Sequence, residues 1–481
     1  MEKLLAKIRK LAAKQDVYIV GGWLRDRLLK RANRDLDLAA SGSPLALSKK
    51  IARSLRGRLV VLDDEHKIYR IVLRGHPDLD YIDVARLRGK TIMEDLANRD
   101  FTINAMALAV PDDGIVDISR RVDPFGGGKD LSEKTVRMVS PGAFADDPLR
   151  LLRAFRLAAE LNFHIETRTL RRIRKDARLI SRSAAERIRE EFFRIFAVND
   201  SAGWIACMEK TGILQQVIPE ISRMKTSARR FYFHPHGLWQ HALETLRSLE
   251  DILRRTAKFF PKNAGQIERH LDETISSGVS RRELLKLIAL LHDVAKPRCA
   301  RRVGNRMRFL GHETKGAVMA AEIFTRLRIG RKEIRVARRL IEHHMRPISL
   351  GQSKTTTRRA AFRLFRDLGA DVPDLFLLSL ADCYSYRHLK TRKTVDLKTQ
   401  ECTVRNLVAL YFDEKEKPSR PKLADGHLLM RTFALQPGPL IGALLTLITE
   451  AQDTEKITTR DEAMALVRKK LTPLKKRYKI K

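Results

Sequence analysis

The chain of 481 residues is longer than a single hydrophobic core supports, so we expect two to four domains. Its 95 Lys and Arg residues against 58 Asp and Glu residues give a net charge of +37, which favours a polyphosphate partner unless the whole proteome is rich in Lys and Arg. The few, separated cysteines exclude a disulfide scaffold and a zinc ribbon and suit a cytoplasmic protein, and no apolar run is long enough to predict a membrane span.

The order of predicted elements divides the chain into four parts. Short β-rich runs, from VYIVGG to DYIDVARL, alternate with helical segments near the start and predict an α+β fold there. From Pro141 onward, apolar residues recur at helical spacing to about residue 390, and the chain ends in the basic run RKKLTPLKKRYKIK. We predict an α+β head (1–138), a helical neck and body (139–225), a further helical domain (226–395) and a basic, helical C-terminal region (396–481).

The first candidate site begins with YIVGGWLRD, where a predicted strand leads through Gly21 and Gly22 into a helix. Such a turn lets backbone N–H groups approach a phosphate closely, and Arg25 lies one turn into the helix, within reach of the same anion. A pair of glycines alone more often marks a tight connection. Its position just before a strand with two aspartates favours phosphate binding.

That next strand, in the run NRDLDLAAS, places Asp35 and Asp37 on the same face, because alternate residues of a strand point the same way. Two ionised carboxylates so close together repel each other, and a bound divalent cation relieves the repulsion. We predict that they hold two Mg²⁺ ions, one activating an attacking hydroxyl and one binding a triphosphate. Asp83, central in DYIDVARL, is the predicted third carboxylate, which helps to deprotonate a 3′-hydroxyl, and Asp80 is the alternative.

The runs GGWLRD, DLD and EDLANRDFTINAMAL, followed in order by VDPFGGGKDL, DDPLRLLRAFRLAAELNF and SAAERIREEFF, resemble those of class II tRNA nucleotidyltransferases and bacterial poly(A) polymerases. The resemblance covers about residues 15–220. It implies a polymerase-β-like nucleotidyltransferase head with a mixed sheet and helices, followed by an all-α neck, body and tail. It also implies template-independent addition of nucleotides from CTP and ATP to the 3′ end of tRNA or another RNA.

The resemblance assigns nucleotide-binding roles to residues in its motifs: Gly21, Gly22, Arg25 and Asp26 in GGWLRD, Arg99 and Asp100 in NRDFTIN, and Asp147 and Arg150 in DDPLR. By the same resemblance, the last two side chains recognise the incoming base in place of a template. VDPFGGGKDL corresponds to a hinge between head and neck. The chain departs from the family pattern at Asn98, where arginine is usual, and at Asp146, where glutamate is expected.

The spacing of the base-recognition residues has a physical basis of its own. Asp147 and Arg150 are three residues apart, so on one helix they share a face, can orient each other and can match the edge of a base. Arg153 and Arg156 continue this face and suit triphosphate oxygens. Spacing alone favours an Asp147 that caps a helix beginning with Pro148, and it is the resemblance that favours base recognition. The later run ERIREE is either a solvated ion-pair face or an element that stabilises the neck.

A second set of residues combines histidines with aspartates on predicted helices: His241 in WQHALET, His292 and Asp293 in LLHDVAK, His312 in FLGHETK, His343 in IEHHMRP and Asp382 in SLADCYS. Their order resembles that of HD-domain metal-dependent phosphohydrolases, including those fused to nucleotidyltransferases. The resemblance implies an HD domain over 226–395 with one or two metal ions, and such ligands suit Ni²⁺, Mn²⁺, Fe or Mg²⁺. It further implies hydrolysis of phosphate esters or of 2′,3′-cyclic phosphates, with Lys296 near the phosphate.

The nucleotide preference stays open at this level. Only RLRGKTIM separates the Asp83 strand from EDLANRD, whereas enzymes that add all of CCA usually have a longer flexible segment there. Addition of CCA, of CC or of A, and poly(A) synthesis, are all compatible with the motifs, and the oligomeric state is undetermined. Alternatives of other classes are an HD phosphohydrolase whose head only binds RNA, and a non-enzymatic RNA-binding protein. The intact DLD pair and HD ligand set favour the nucleotidyltransferase.

Overall fold

The computed structural model describes residues 1–478 except 66, 227–236, 277, 305, 353–357, 388–395 and 418–420. The chain divides into two compact units, Met1–Pro219 and Glu220–Lys481. The predicted domain boundary at residue 395 lies outside the described residues, and the four-part division stays a prediction. None of the described helices is long and apolar enough to cross a membrane.

The first unit is an α+β domain followed by helices, which confirms the predicted fold class. Its strands are β1 (Val17–Val20), β2 (Asp35–Ala40), β3 (Arg58–Asp63), β4 (Ile68–Val72), β5 (Tyr81–Arg86), β6 (Ala107–Ala109), β7 (Thr135–Val136) and β8 (His164–Ile165). Its helices are α1 (Glu2–Ala12), α2 (Gly22–Leu28), α3 (Pro44–Leu55), α4 (Ile92–Ala97), α5 (Gly127–Ser132), α6 (Ala143–Asp146), α7 (Arg150–Leu161), α8 (Thr167–Asp176), α9 (Ala185–Ala197), α10 (Ser201–Thr211) and α11 (Ile213–Val217).

The first six strands form one mixed sheet in the order β3-β4-β5-β2-β1-β6. Strands β2 and β5 pair in parallel, and the other neighbours pair antiparallel. Alternation along β2 buries Leu36 and Leu38 completely, while Asp35 and Asp37 lie on the opposite face. Helix α3 packs against β3, β4 and β5, so the polar face of β2 is left open for a site.

The helical part of the first unit is held by apolar stripes on α7 and α9. Leu151, Phe155 and Phe192 are fully buried, and the rings of Phe192 and Phe196 meet edge to face with centroids 5.0 Å apart. Helix α7 ends at Leu161 and is capped by Asn162, which adopts the left-handed conformation with φ of 57°. Arg150 and Arg153 of α7 contact residues of the head.

The second unit is mainly helical, and it also contains two short antiparallel strand pairs that the sequence did not predict. Its helices are α12 (Glu220–Thr226), α13 (Leu238–Arg254), α14 (Thr256–Phe259), α15 (Ala264–Leu271), α16 (Arg281–Leu291), α17 (Lys296–Cys299), α18 (His312–Arg326), α19 (Arg331–His343), α20 (Arg346–Gln352), α21 (Arg358–Leu368), α22 (Val372–Tyr384), α23 (Leu397–Glu416), α24 (Gly426–Phe433), α25 (Pro439–Asp453) and α26 (Arg460–Arg477). The strand pairs are β9 (Thr274–Ser276) with β10 (Val279–Ser280), and β11 (Arg301–Val303) with β12 (Arg306–Arg308).

Helix α16 is the centre of the second unit, since it packs against α13, α19 and α22. Its start is fixed by a capping box in which Ser280 and Glu283 exchange hydrogen bonds with each other's backbone N–H groups. Residues 284–291 are all buried, so the helix runs through the core and delivers the next two residues, His292 and Asp293, to the interior.

Candidate active sites

The parallel pairing of β2 with β5 brings the three predicted carboxylates of the first unit together. Asp37 lies directly opposite Asp83, and Asp35 lies two residues earlier on the same face of β2. The alternative Asp80 precedes β5 and is paired with Arg34 at 3.0 Å, with about half of each side chain exposed. The geometry therefore favours Asp83 over Asp80 as the third carboxylate.

The carboxylates repel each other in the protein alone. Burial, and next the neighbouring Asp83, raises the pKa of Asp37 to about 6, and burial likewise raises the pKa of Asp35. A cation placed among these oxygens offsets both the burial of the ionised carboxylates and their mutual repulsion. Carboxylate oxygens are also the ligands that Mg²⁺ prefers. The donor set therefore fits the predicted Mg²⁺ ions.

Arg70, on the neighbouring strand β4, is a member of this site that the sequence did not single out. Its Nε lies 2.8 Å from Oδ1 of Asp83, and one of its terminal nitrogens lies 2.7 Å from Oδ2. Its guanidinium also stacks over the ring of Tyr81 at 4.6 Å from the centroid. The signal available in the sequence was the period of β4, which places Arg70 on the same face as the carboxylates once the strands are paired.

The glycine turn after β1 supports Asp37. Gly21 has φ of +71°, and a Cβ atom there would lie 2.9 Å from Oδ2 of Asp37. The N–H of Gly22 donates to the same oxygen at 3.2 Å. Arg25, predicted to reach a phosphate, donates to Asp26 at 2.8 and 2.9 Å and to Asn104 at 2.9 Å. The turn thus orders the carboxylate, and its contact with a phosphate stays a prediction.

A cavity of about 930 Å³ opens over the three carboxylates. Eleven arginines and eight aspartates are among the residues that line it. Its volume is in the range of pockets that enclose a nucleotide-sized ligand. A wall of guanidinium groups facing a group of carboxylates suits a triphosphate accompanied by divalent cations.

Arg99 and Asp100 lie in this wall, and each has an oppositely charged partner. Arg99 contacts Asp95 at 2.8 Å, and Asp100 contacts Arg153 at 2.6 Å. Although burial opposes ionisation, Arg153 and Arg150 hold the pKa of Asp100 well below its usual range. Asp100 is therefore an ionised anchor that fixes Arg153 at the cavity.

Asp147 and Arg150 do not share one helix face, which corrects the predicted geometry. Helix α6 ends at Asp146 and α7 begins at Arg150, so Asp147 lies in the connection with an extended backbone. Its carboxylate accepts the N–H of Leu149 at 3.2 Å and contacts Arg187, also at 3.2 Å.

The guanidinium of Arg150 instead donates to backbone carbonyls. It lies 2.7 Å from the oxygen of Asn98, 3.2 Å from that of Ala143 and 3.3 Å from that of Arg99. Both Asp147 and Arg150 line the cavity, yet each is oriented by other groups. The sequence missed Arg187 because it comes from α9, about 40 residues away.

Arg156, predicted to face phosphate oxygens, is buried between two carboxylates. It contacts Glu191 at 2.6 Å and Glu160 at 3.0 Å, and only 7% of its side chain is exposed. Two acidic partners neutralise a single guanidinium, which leaves it poorly suited to bind a further anion. Glu191 belongs to the run ERIREE. Its buried contact with Arg156 favours a role for that run in stabilising the neck over a solvated ion-pair face.

In the second unit, all of the predicted histidines and aspartates except His343 converge on one buried point. Asp293 lies at the centre: its Oδ2 is 3.2 Å from Nε2 of His241 and 3.2 Å from Nε2 of His292, and its Oδ1 is 3.4 Å from Nε2 of His312. Asp382 approaches from α22, with Oδ1 3.3 Å from Nε2 of His241. We call this group the HD cluster.

His344 belongs to the HD cluster, and the predicted His343 does not. Nε2 of His344 lies 3.7 Å from Oδ1 of Asp293, and its side chain is 2% exposed. His343 is only half-buried, because it lies at the side of α19 rather than on its buried stripe. The signal was available: Leu340 and Ile341 are the buried residues one turn before His344.

The histidines of the HD cluster are oriented for metal ligation through Nε2. Nδ1 of His292, His312 and His344 each lies 2.6 to 2.8 Å from a backbone carbonyl three residues earlier, so Nδ1 carries the proton and Nε2 the lone pair. Burial lowers the pKa of His344 to about 4, which keeps it neutral near pH 7. Among the described residues, Nε2 of His312 and of His344 have no hydrogen-bond partner.

Taken together, the HD cluster fits a divalent metal. Two groups of three residues could each hold a metal ion, because the ligand atoms within each group all lie within 4.8 Å of one another. One group is His241, His292 and Asp382, and the other is His292, Asp293 and His344. Lys296 lies 2.5 Å from Oδ2 of Asp293 and, although burial opposes it, helps to hold the pKa of that carboxyl well below its usual range. The donors do not distinguish Ni²⁺, Mn²⁺, Fe and Mg²⁺.

Three family descriptions of known proteins match successive parts of the chain. The family description "Poly A polymerase head domain" matches residues 17–137, "Probable RNA and SrmB- binding site of polymerase A" matches 162–225, and "HD domain" matches 238–387. An A-adding tRNA nucleotidyltransferase of Deinococcus radiodurans is 30% identical over 458 residues, which is 94% of each chain. A CC-adding tRNA nucleotidyltransferase of Geobacter sulfurreducens is 29% identical, over 94% of this chain and 91% of the relative.

A solved structure of a CCA-adding enzyme with ATP superposes with a TM-score of 0.66 at 22% identity, over 98% of this chain and 95% of the other. The fold is thus that of a nucleotidyltransferase with a fused HD domain. The chain belongs to the tRNA nucleotidyltransferase family.

Proposed function

We propose that the first unit adds nucleotides from CTP, ATP or both to the 3′ end of tRNA without a nucleic-acid template. The observation that carries this proposal is the pairing of β2 with β5, which sets Asp37 opposite Asp83 with Asp35 on the same face. The arginine-lined cavity and the similarity to A-adding and CC-adding relatives over 94% of the chain support it.

The three carboxylates are the residues that would hold Mg²⁺, which when bound neutralises triphosphate charge and makes a nearby hydroxyl more acidic. Other steps belong to the chain itself. Arg99 and Arg153, each fixed by a carboxylate, offer guanidinium N–H groups to phosphate oxygens. In this proposal Asp83, oriented by Arg70, accepts the proton of the 3′-hydroxyl. Asp147, in the connection between α6 and α7, and Arg150, at the start of α7, contact the base.

The length of one connection supports partial addition, of CC or of A. Residues 87–91 alone join β5 to α4, and two carboxylates hold them in place. Oδ1 of Asp95 accepts the N–H of Arg88 at 2.9 Å, and Oε2 of Glu94 accepts the N–H of Lys90 at 2.7 Å. A short connection tied at two points has little freedom to reposition between the binding of CTP and that of ATP.

Three tRNA transcripts test this proposal: one ending before CCA, one ending after CC and one complete, each incubated with labelled CTP or ATP. Addition confined to C on the first, or to A on the second, is the expected result. Completion of CCA on the first transcript would overturn the partial-addition claim. Long A-tracts on unrelated RNA would indicate a poly(A) polymerase instead.

A second activity is favoured by the HD cluster. We propose that it hydrolyses phosphoesters, including 2′,3′-cyclic phosphates at RNA ends, with a divalent metal held by its histidines and aspartates. The metal when bound supplies Lewis-acid activation of water. In this proposal Lys296, which lies 2.5 Å from Oδ2 of Asp293, contacts a phosphate oxygen. The convergence of buried, partner-free Nε2 atoms on Asp293 carries this proposal.

The hydrolytic proposal is tested with 2′,3′-cAMP and with a chromogenic phosphodiester, in the presence of Ni²⁺ or Mn²⁺. Activity that disappears in His292→Ala and persists in Asp37→Asn is expected. Hydrolysis without nucleotide incorporation would identify the alternative in which the head only binds RNA.

We propose that both activities occur in the cytoplasm, where tRNA and nucleoside triphosphates occur together.

A further inference from the structure

The hairpin formed by β11 and β12 carries a concentration of positive charge. Residues 296–315, which contain it, have seven Lys and Arg residues and a single acidic one, Glu313. Arg301, Arg302 and Arg308 are exposed. Val303 and Leu310 are also exposed, by 50% and 74%. Exposed cations next to exposed apolar side chains form a surface whose chemistry is suited to a ligand rather than to the core.

The register of the hairpin places like charges against each other. Arg301 lies directly opposite Arg308 across the two strands. Like charges in this position destabilise a strand pair, since the two side chains lie close together on the same face. An anion bound between two guanidinium groups converts that repulsion into attraction, as phosphate does with arginine.

The hairpin leads directly into the HD cluster. The carbonyl of Phe309, just after β12, accepts the Nδ1–H of His312 at 2.8 Å. The ring of Phe309 lies 5.7 Å from Nζ of Lys296, which in turn lies 2.5 Å from Oδ2 of Asp293. Phe309 therefore connects the end of the hairpin to both a histidine and the lysine of the cluster.

We infer that this hairpin binds the phosphodiester backbone of RNA whose 3′ end enters the HD cluster. The inference rests on the phosphohydrolase proposal and names its substrate class: a polymeric RNA end is preferred to a mononucleotide. Arg301, Arg302 and Arg308 contact phosphates upstream of the end, and Val303 and Leu310 contact ribose and base faces. A mononucleotide has no upstream phosphates and gains nothing from the hairpin.

The test is the double variant Arg301→Glu/Arg308→Glu of the full chain, assayed with a short single-stranded RNA ending in a 2′,3′-cyclic phosphate and with 2′,3′-cAMP. The ratio of kcat/KM for the RNA to that for 2′,3′-cAMP is expected to fall at least tenfold, through KM. The slope of log KM for the RNA against log salt is expected to fall by about 1.4, because each of the two lost phosphate contacts contributes about 0.7 to that slope. Arg331→Glu/Lys332→Glu, which changes the net charge equally on α19, is the matched control.

An unchanged ratio in the hairpin variant, or an equal fall in the control, would overturn the inference. If the unmodified chain hydrolyses neither substrate, the phosphohydrolase proposal fails, and photo-crosslinking of 4-thiouridine RNA judges the hairpin by itself. Crosslinks that map to residues 301–310 support RNA binding there, and crosslinks confined to other segments contradict it. Binding of the hairpin to anionic phospholipid vesicles in preference to RNA would also contradict it.

Discussion

Arg70 and Asp83 face each other across β4 and β5 and form a two-point ion pair, with N···O distances of 2.7 and 2.8 Å. The pair fixes the carboxylate plane of the third acidic residue at the nucleotidyltransferase site. Removal of Arg70 is therefore expected to leave the orientation of the Asp83 carboxylate unfixed.

Replacing Arg70 by alanine is expected to lower kcat for nucleotide incorporation about 10- to 100-fold, the usual cost of losing a residue that orients a metal-binding carboxylate. KM for the nucleotide should change much less, because Arg70 acts through Asp83. Arg34→Ala removes a pair of the same form, with Asp80 at 3.0 Å on the exposed side, and should have a smaller effect. Equal losses of kcat in both variants would refute the positioning role.

The two neighbouring glycines after β1 should differ sharply in their tolerance of a methyl group. Gly21→Ala places a Cβ 2.9 Å from Oδ2 of Asp37 at φ of +71°, whereas the nearest atom to a Cβ at Gly22 lies 3.5 Å away. The strained backbone costs about 1–3 kcal/mol, and relief of that strain displaces Asp37. Incorporation by Gly21→Ala should fall roughly tenfold or more, and Gly22→Ala should retain most of it. The reverse order would contradict the assigned turn geometry.

His344 and His343 offer a test of the HD cluster with adjacent residues. His344→Ala removes a buried Nε2 that faces Asp293, and is expected to lower both the bound Ni²⁺ or Mn²⁺ per chain and the hydrolysis of a phosphodiester. His343→Ala should leave both close to the unmodified values, because its ring is half-exposed. Metal content after dialysis, measured by mass spectrometry, is the readout. A loss of metal in His343→Ala alone would restore the residue predicted from sequence.

Glu450 links α25 to α21 through Arg359 and Arg363, at 2.6 and 2.5 Å. Hydrogen bonds from Arg363, and then contact with Arg359, lower the pKa of Glu450 to about 2 from 4.5. A lowered pKa in the folded state stabilises the unit fully above about pH 4.5, and this stabilisation is lost progressively as the pH falls toward 2.

Glu450→Gln is therefore expected to lower Tm near pH 7, by about 2–4 °C for a unit of this size, and to differ less from the unmodified chain near pH 3. Glu455→Gln removes an exposed partner of Arg358 and should have a smaller effect. Thermal unfolding followed by circular dichroism at both pH values measures this. A difference in Tm that is constant between the two pH values would argue against the ion-pair network.

How far the sequence predicts this protein depends on whether a feature is local or arises from tertiary pairing. Alternation in DLDLAA places Asp35 and Asp37 on one face, and the central position of Asp83 in its strand identifies it in advance. Arg70 was not predicted, because its importance arises only when β4 pairs with β5. Strand pairing joins residues whose separation along the chain carries no local signal.

The helical residues show the same limit. Spacing suggested that Asp147 and Arg150 share a helix face, but the break between α6 and α7 places them on different elements. The choice between His343 and His344 depended on where the buried stripe of α19 runs at its last turn, and helix ends are the least regular part of a helical pattern. Tertiary packing settles both, and the hairpin of β11 and β12 likewise forms within a region whose overall pattern is helical.

The most direct test of the account is magnesium-dependent incorporation of labelled nucleotide into tRNA by Asp37→Asn, compared with Asp80→Asn. Asp37→Asn is expected to lose about 10²- to 10⁴-fold in rate, since stabilisation by a bound metal is worth several kcal/mol. Asp80→Asn changes the same chemical group on an exposed residue paired with Arg34, and should keep a rate near that of the unmodified chain. If Asp37→Asn incorporates nucleotide as well as Asp80→Asn does, the carboxylates of β2 do not form the catalytic centre.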